Sequence, residues 1–120
     1  MAETDDSLVA VGSWGQLCYA VRSDKSMPAK EFYAGLSKGD QAKLNTLFKR
    51  MADEGRICNR VKFKQVQDDL FAFKVFRIRV SCYRSGQCWF LLHGFEKKGD
   101  DWPNGELIRA LNLLKEHRCY

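Results

Sequence analysis

No stretch of this chain approaches 18 consecutive apolar residues, which excludes a transmembrane helix on length alone. The first ten residues, MAETDDSLVA, are acidic and lack a hydrophobic core segment, so no secretory signal is expected. No Cys-x-x-Cys pair occurs. The five cysteines stand at 18, 58, 82, 88 and 119, and the two histidines, His93 and His117, are far apart. A zinc site needs closely paired ligands at motif spacing, so neither a metal nor another cofactor is expected. An odd set of unpaired cysteines fits free thiols in a reducing compartment, and a cytoplasmic location with no membrane partner follows as an expectation. Internal repeats and low-complexity tracts are also missing.

What remains is a globular composition. With 45% hydrophobic and 29% charged residues over 120 positions, the chain can bury one core without staples. Residues 1–15 are expected to be a flexible leader and 16–120 a single domain. The net charge of +5 is concentrated. Residues 41–98 hold thirteen basic and five acidic side chains, while both flanking segments carry more acid than base. A central cationic block of this kind suits a phosphate-binding face, and equally the solvated exterior of helices.

Periodicity gives the element order β-α-α-β-β-β-α. Residues 16–22 alternate as a short strand. A helix is expected from Pro28 to Leu36, with Ser26 as its cap and Phe32 and Leu36 on one face. Ser37, with Asp40 three residues on, opens a second helix whose Leu44, Leu47, Phe48 and Met51 form a buried stripe. Lys43, Lys49 and Arg50 fall on its outer face, and Gly55 is a plausible stop. From Arg60 the pattern becomes strand-like. RVKFK alternates, Asp68-Asp69 turns, and LFAFKVFRIRVSCY is one long β-rich run. Phe71, Phe73 and Val75 share one parity and Phe76, Ile78, Val80 and Cys82 the other. That switch requires a bulge or tight bend at Val75-Phe76. Arg84-Ser85-Gly86-Gln87 supplies a hairpin turn into CWFLLHGF. Gly99-Asp100-Asp101 then breaks the chain, and Pro103 opens a last helix with Leu107, Ile108, Leu111 and Leu114 on its stripe.

Alternation places Arg77 and Arg79 opposite the core residues Ile78 and Val80. Lys74 joins them, and Lys62 and Lys64 share a face of the preceding strand. Five cations on one face repel one another unless a polyanion neutralises them. The position of His93 depends on the hairpin loop. A three-residue loop sets Cys82 opposite Cys88 and turns His93 to the arginine face, opposite Arg77. A two-residue loop sets it opposite Ile78, toward the core.

These elements converge on a known family. The segments Phe71-x-Phe73-Lys74, Arg79, His93-Gly94-Phe95-x-Lys97-Lys98, and Pro103 leading into Glu106-Leu107-Ile108 and Ala110 resemble phage-derived HigB-like toxins of the RelE/ParE superfamily. The helical hairpin that contains PAKEF and ends at Gly55 fits as well, so the resemblance covers roughly residues 16–115. It implies an α+β, RelE-like fold: an antiparallel-rich sheet with the helical hairpin on one face and a C-terminal helix. It also implies a type II toxin acting as a ribosome-dependent mRNA endonuclease, held inactive by a helix-turn-helix antitoxin. Matching positions give Lys74, Arg79, His93, Lys97 and Lys98 as the catalytic set. Lys62, Lys64, Arg77 and Arg84 are then the RNA-binding set. The same fold also hosts gyrase-targeting toxins, and a non-catalytic nucleic-acid-binding module of a phage or mobile element is a further alternative. Asp100-Asp101 stands where the family usually carries Thr and basic residues. Its carboxylates are expected either to weaken RNA binding at that end of the sheet or, through Asp101, to cap the last helix.

Overall fold

The computed structural model describes residues 6–99 and 102–118. The elements run β1 (Leu8–Val11), β2 (Gln16–Tyr19), α1 (Pro28–Ala34), α2 (Lys38–Glu54), β3 (Phe63–Gln67), β4 (Leu70–Val75), β5 (Ile78–Ser85), β6 (Cys88–Glu96) and α3 (Asn104–Arg118). The fold is α+β, built on a six-stranded sheet of order β1-β2-β6-β5-β4-β3. Every neighbouring pair is antiparallel except β2 and β6, where Gln16 to Tyr19 run parallel to Cys88 to Leu91. The sequence separates two faces. Leu17, Phe73, Val80, Cys82, Trp89 and Leu91 pack with Leu44, Leu47, Phe48 and Met51 of α2. Leu70, Tyr83 and Leu92 point the other way and pack with Ala110, Leu113 and Leu114 of α3. The helical hairpin thus covers one face and the last helix the other.

Several local expectations change. Residues 8–11, within the stretch read as a leader, form β1 and pair with β2. Ser26 does not cap α1: its hydroxyl and its N–H both bond Asp24, and Met27 at the N-cap has no side-chain cap. Ser37 does cap α2, accepting from the Asp40 N–H at 3.2 Å, and Gly55 closes it in a left-handed conformation. The long β-rich run is two strands. Phe76-Arg77 is a two-residue turn that folds β5 back on β4, so Val75 faces Ile78 and Lys74 faces Arg79. Phe76 therefore leaves the core parity assigned to it. On α3, Ile108 is turned outward and 58% exposed, because Leu107, Ala110, Leu111 and Leu114 make the inward i, i+3, i+4, i+7 set.

The β5–β6 hairpin has a two-residue loop, Gly86-Gln87, between paired Ser85 and Cys88. Gly86 takes φ 61 at the first central position, where a II′ turn needs positive φ. Register then slips by one at Leu92, so Ser81 faces His93 and Cys82 faces Leu91. The turn itself sets Cys82 opposite Leu91 and not Cys88, and the bulge sets His93 opposite Ser81 in place of Arg77 or Ile78. Among the described residues no cysteine is in a disulfide, and burial pushes the Cys88 thiol up to about 12. Cys119 and the Asp100-Asp101 pair lie outside the described residues.

Gly94 is where α1 docks on the sheet. A Cβ at this position would meet Cδ2 of Phe32 at 2.1 Å and Cε2 at 2.6 Å. Only a residue without Cβ lets that ring lie on β6. Gly94→Ala is expected to cost about 1–3 kcal/mol by overpacking, several degrees of Tm. Thermal unfolding by circular dichroism checks this, and Gly94→Ala should cost less when introduced into a Phe32→Ala background, where the ring it meets is gone. An unchanged Tm for the single variant would mean that Phe32 does not pack there.

Candidate nucleic-acid interface

Backbone reversals bring the cations together. The Phe76-Arg77 turn sets Lys74 beside Arg79, and the β3–β4 pairing sets Lys64 opposite Ala72, two residues from Lys74. The N–H of Lys74 also bonds the Lys62 carbonyl at 2.9 Å, extending the ladder one step beyond β3. A cleft of about 880 Å³ opens between this corner and α2. Lys43, Thr46 and Leu47 line it from α2, Arg60, Val61, Lys62 and Lys64 from the start of β3 and the residues before it, and Lys74, Val75, Phe76 and Arg79 from the β4–β5 hairpin. Six of these residues are Lys or Arg, and none of the described lining residues is acidic.

Two of the cations are held in place. Arg79 Nη1 donates to the Phe76 carbonyl at 2.6 Å and to the Ile78 carbonyl at 2.9 Å. The guanidinium is thereby tied to the turn that creates the site, with Nε and Nη2 still able to serve an anion. Partial burial lowers its pKa, yet an arginine stays charged at any working pH. Lys74 Nζ donates to the Arg60 carbonyl at 3.1 Å. Its pKa is lowered, first by burial and then by the charges of Arg79, Lys64 and Lys97. Both causes favour the neutral amine, the form that can accept a proton.

Two smaller depressions adjoin the cleft at Arg79. One, of about 400 Å³, is lined by Phe76, Arg77, Arg79, Lys97 and Lys98 with Gly99. The other, of about 130 Å³, lies between Lys64, Lys74, Arg79 and Lys97 and ends on Trp102. Lys97 is fixed by its N–H, which bonds the Arg77 carbonyl at 2.7 Å. Arg84 sits elsewhere, in a separate cleft of about 550 Å³ with Arg56, Phe71, Trp89 and Arg118. Arg60 and Lys64 line both clefts and connect them.

His93 is not in this cluster. It is 1% exposed beneath α3, with Nδ1 2.5 Å from Ser81 Oγ. Its N–H also donates to Ser81 Oγ at 3.2 Å. Nε2 lies 3.4 Å from Glu106 Oε1 without the alignment of a hydrogen bond. Burial, then the charge of Arg109, takes its pKa down to about 4, so the ring is neutral at pH 7.

Of the residues read from sequence, Lys62, Lys64, Lys74 and Arg79 share the main cleft, and Arg77, Lys97 and Lys98 join them through Arg79. Lys43, Arg60, Val61 and Phe76 were not foreseen there. The sequence pattern places Lys43 on an outer helix face and Phe76 in the core. The parity switch beside Phe76 was the one signal that could have found it. Among the described residues no group of three or more His, Cys, Asp or Glu could hold a metal ion, and no helix is long and apolar enough to cross a membrane.

No curated protein sequence matches the chain. A family model described as phage derived protein Gp49-like matches residues 31–115, a span that runs from α1 into α3 and contains every residue of the cationic cleft. The chain belongs to this Gp49-like family of phage-derived proteins.

Proposed function

We propose that the protein is the toxin of a type II toxin–antitoxin system and cleaves mRNA on the ribosome in the cytoplasm. A helix-turn-helix antitoxin is its expected partner. The observation that carries this reading is the acid-free cluster of six cations around Lys74, whose neighbours disfavour its charge. RNA supplies its own nucleophile. The 2′-oxygen attacks the adjacent phosphorus, the O2′–P bond forms, and the P–O5′ bond breaks, leaving a 2′,3′-cyclic phosphate and a 5′-hydroxyl. Lys74, in the neutral form that its surroundings favour, accepts the 2′-hydroxyl proton. Arg79 donates to the phosphorane oxygens as their charge grows, a task for which its planar fork is suited. The ammonium of Lys97 or Lys98 returns a proton to the leaving 5′-oxygen. Lys62, Lys64 and Arg77 hold flanking phosphates, and Arg84 contacts the strand farther along.

Induced expression followed by mapping of mRNA ends tests the reading. New 5′-hydroxyl ends within translated regions, paired with cyclic phosphates, are the expected result. One observation favours a non-catalytic module instead. His93 is buried, which leaves lysines as the proton-transfer groups of the described cleft. Growth arrest with intact transcripts would support that alternative and remove the nuclease reading.

A further inference from the structure

Three non-glycine residues among those described take positive φ: Lys25, Asp68 and Phe76. Aspartate is tolerated there because its short side chain bonds locally. A bulky aromatic is a true outlier, and Phe76, at φ 53, occupies the first central position of a two-residue hairpin, where Asn, Asp or Gly is the usual choice. Core packing does not offset this strain. The side chain is 76% exposed and belongs to neither hydrophobic cluster. Its described contact is polar: Lys43 Nζ stands 4.0 Å from the ring centroid. Val61, 75% exposed, lies on the rim of the same cleft. Strain held at an exposed position, within a pocket, points to a role outside folding.

From this geometry we infer that Phe76 is a stacking platform for one unpaired base of single-stranded RNA, with Val61 bordering the base and the surrounding cations holding its phosphates. The inference rests on the RNA reading of the cleft and adds to it the form of RNA that fits. A ring face set among cations matches a nucleotide on both counts: the base presents a plane, and the backbone presents charge. A duplex satisfies only the second, because its bases are already stacked on one another. The cleft volume of about 880 Å³ is in the range that encloses a small molecule, enough for a nucleotide and its flanking phosphates.

The test uses the full chain, an eight-nucleotide single-stranded RNA and a hairpin duplex of similar charge, with fluorescence anisotropy as readout. Phe76→Gly is the main variant, since glycine relieves the positive φ and should keep or raise Tm. It is expected to weaken single-strand binding about tenfold and to leave duplex binding unchanged. The salt dependence of both should also be unchanged, because no charge is removed. Phe76→Trp should bind the single strand at least as well as the unaltered protein. Equal affinity of Phe76→Gly and the unaltered protein for the single strand overturns the platform and leaves the cationic cleft standing. Equal losses on single strand and duplex also overturn it, since the residue then only shapes the turn. A fall in Tm on Phe76→Gly would show that the ring packs, with the same consequence. No single-strand binding by the unaltered protein overturns this inference together with the RNA reading of the cleft.

Discussion

On the proposed nuclease reading, Arg79→Ala is expected to lower the rate of mRNA cleavage by about 10²–10³ and to abolish growth arrest, while the protein stays folded. The size of the effect follows from preorganisation. Two backbone carbonyls of the β4–β5 turn already hold the guanidinium, so little of its freedom is lost when an anion arrives. It is also where the three depressions meet, so no neighbouring cation takes its place. Removing the side chain leaves the Phe76 and Ile78 carbonyls without this donor, a cost of about 1 kcal/mol that the fold survives. Arg79→Lys keeps the charge and loses the fork, so it should recover only part of the activity. Growth after induction, end mapping and a melting curve on the same variants make the check. A soluble, folded and fully toxic Arg79→Ala would move the active site elsewhere.

The second large effect is acid sensitivity from His93. An unfolded chain carries this imidazole near 6.5, and the folded chain near 4. Between those values the unfolded state binds a proton that the folded state does not. Stability is therefore fully present above about pH 6.5 and is lost as pH falls toward 4. At 1.36 kcal/mol per pH unit, the loss is roughly 3 kcal/mol at most. The groups facing the ring are Ser81 on β5, Glu106 and Arg109 on α3, with Phe95 stacked beside it. The charge of Arg109 adds to the penalty that burial imposes. Urea unfolding at pH 7.5 and 4.5 measures the slope. His93→Gln, which keeps a polar contact to Ser81 but does not titrate, should flatten much of it. His117, whose pKa burial also lowers, supplies part of what remains. An identical slope in the variant would mean that His93 does not carry the pH dependence.

Much of this architecture was legible because period and caps agree. The stripe Leu44, Leu47, Phe48, Met51 with Ser37 before it and Gly55 after it defines α2 almost to the residue. The alternation around Lys74 and Arg79 likewise identified the cationic corner. What escaped was carried by single backbone events. A turn built on Phe76 lacks the Gly, Asn or Asp that marks hairpins, so two strands read as one with a defect. The bulge at Leu92 moves the pairing by one residue, so His93 faces Ser81 instead of Val80 and is buried under α3, along the same face of β5 as Arg79 but away from the cleft. Lys43 looked solvated because the sequence shows which side of α2 is apolar and not what its polar edge overlooks. β1 is short and borders the sheet, too brief for periodicity to register.

The parallel pairing of β2 with β6 has a consequence for synthesis. These two strands are about seventy residues apart, while β3 to β6 are joined by two-residue turns. The meander that carries Lys64, Lys74 and Arg79 closes by local contacts as soon as it leaves the ribosome. Strand β2 emerges first and must wait for β6, roughly 4–14 s at usual elongation rates. Until then Leu17 and Tyr19 lack the inner strand against which they are buried, and α1, which docks on β6 through Gly94, waits with them. The N-terminal third is thus the part of the nascent chain that needs shielding longest, although it is made earliest.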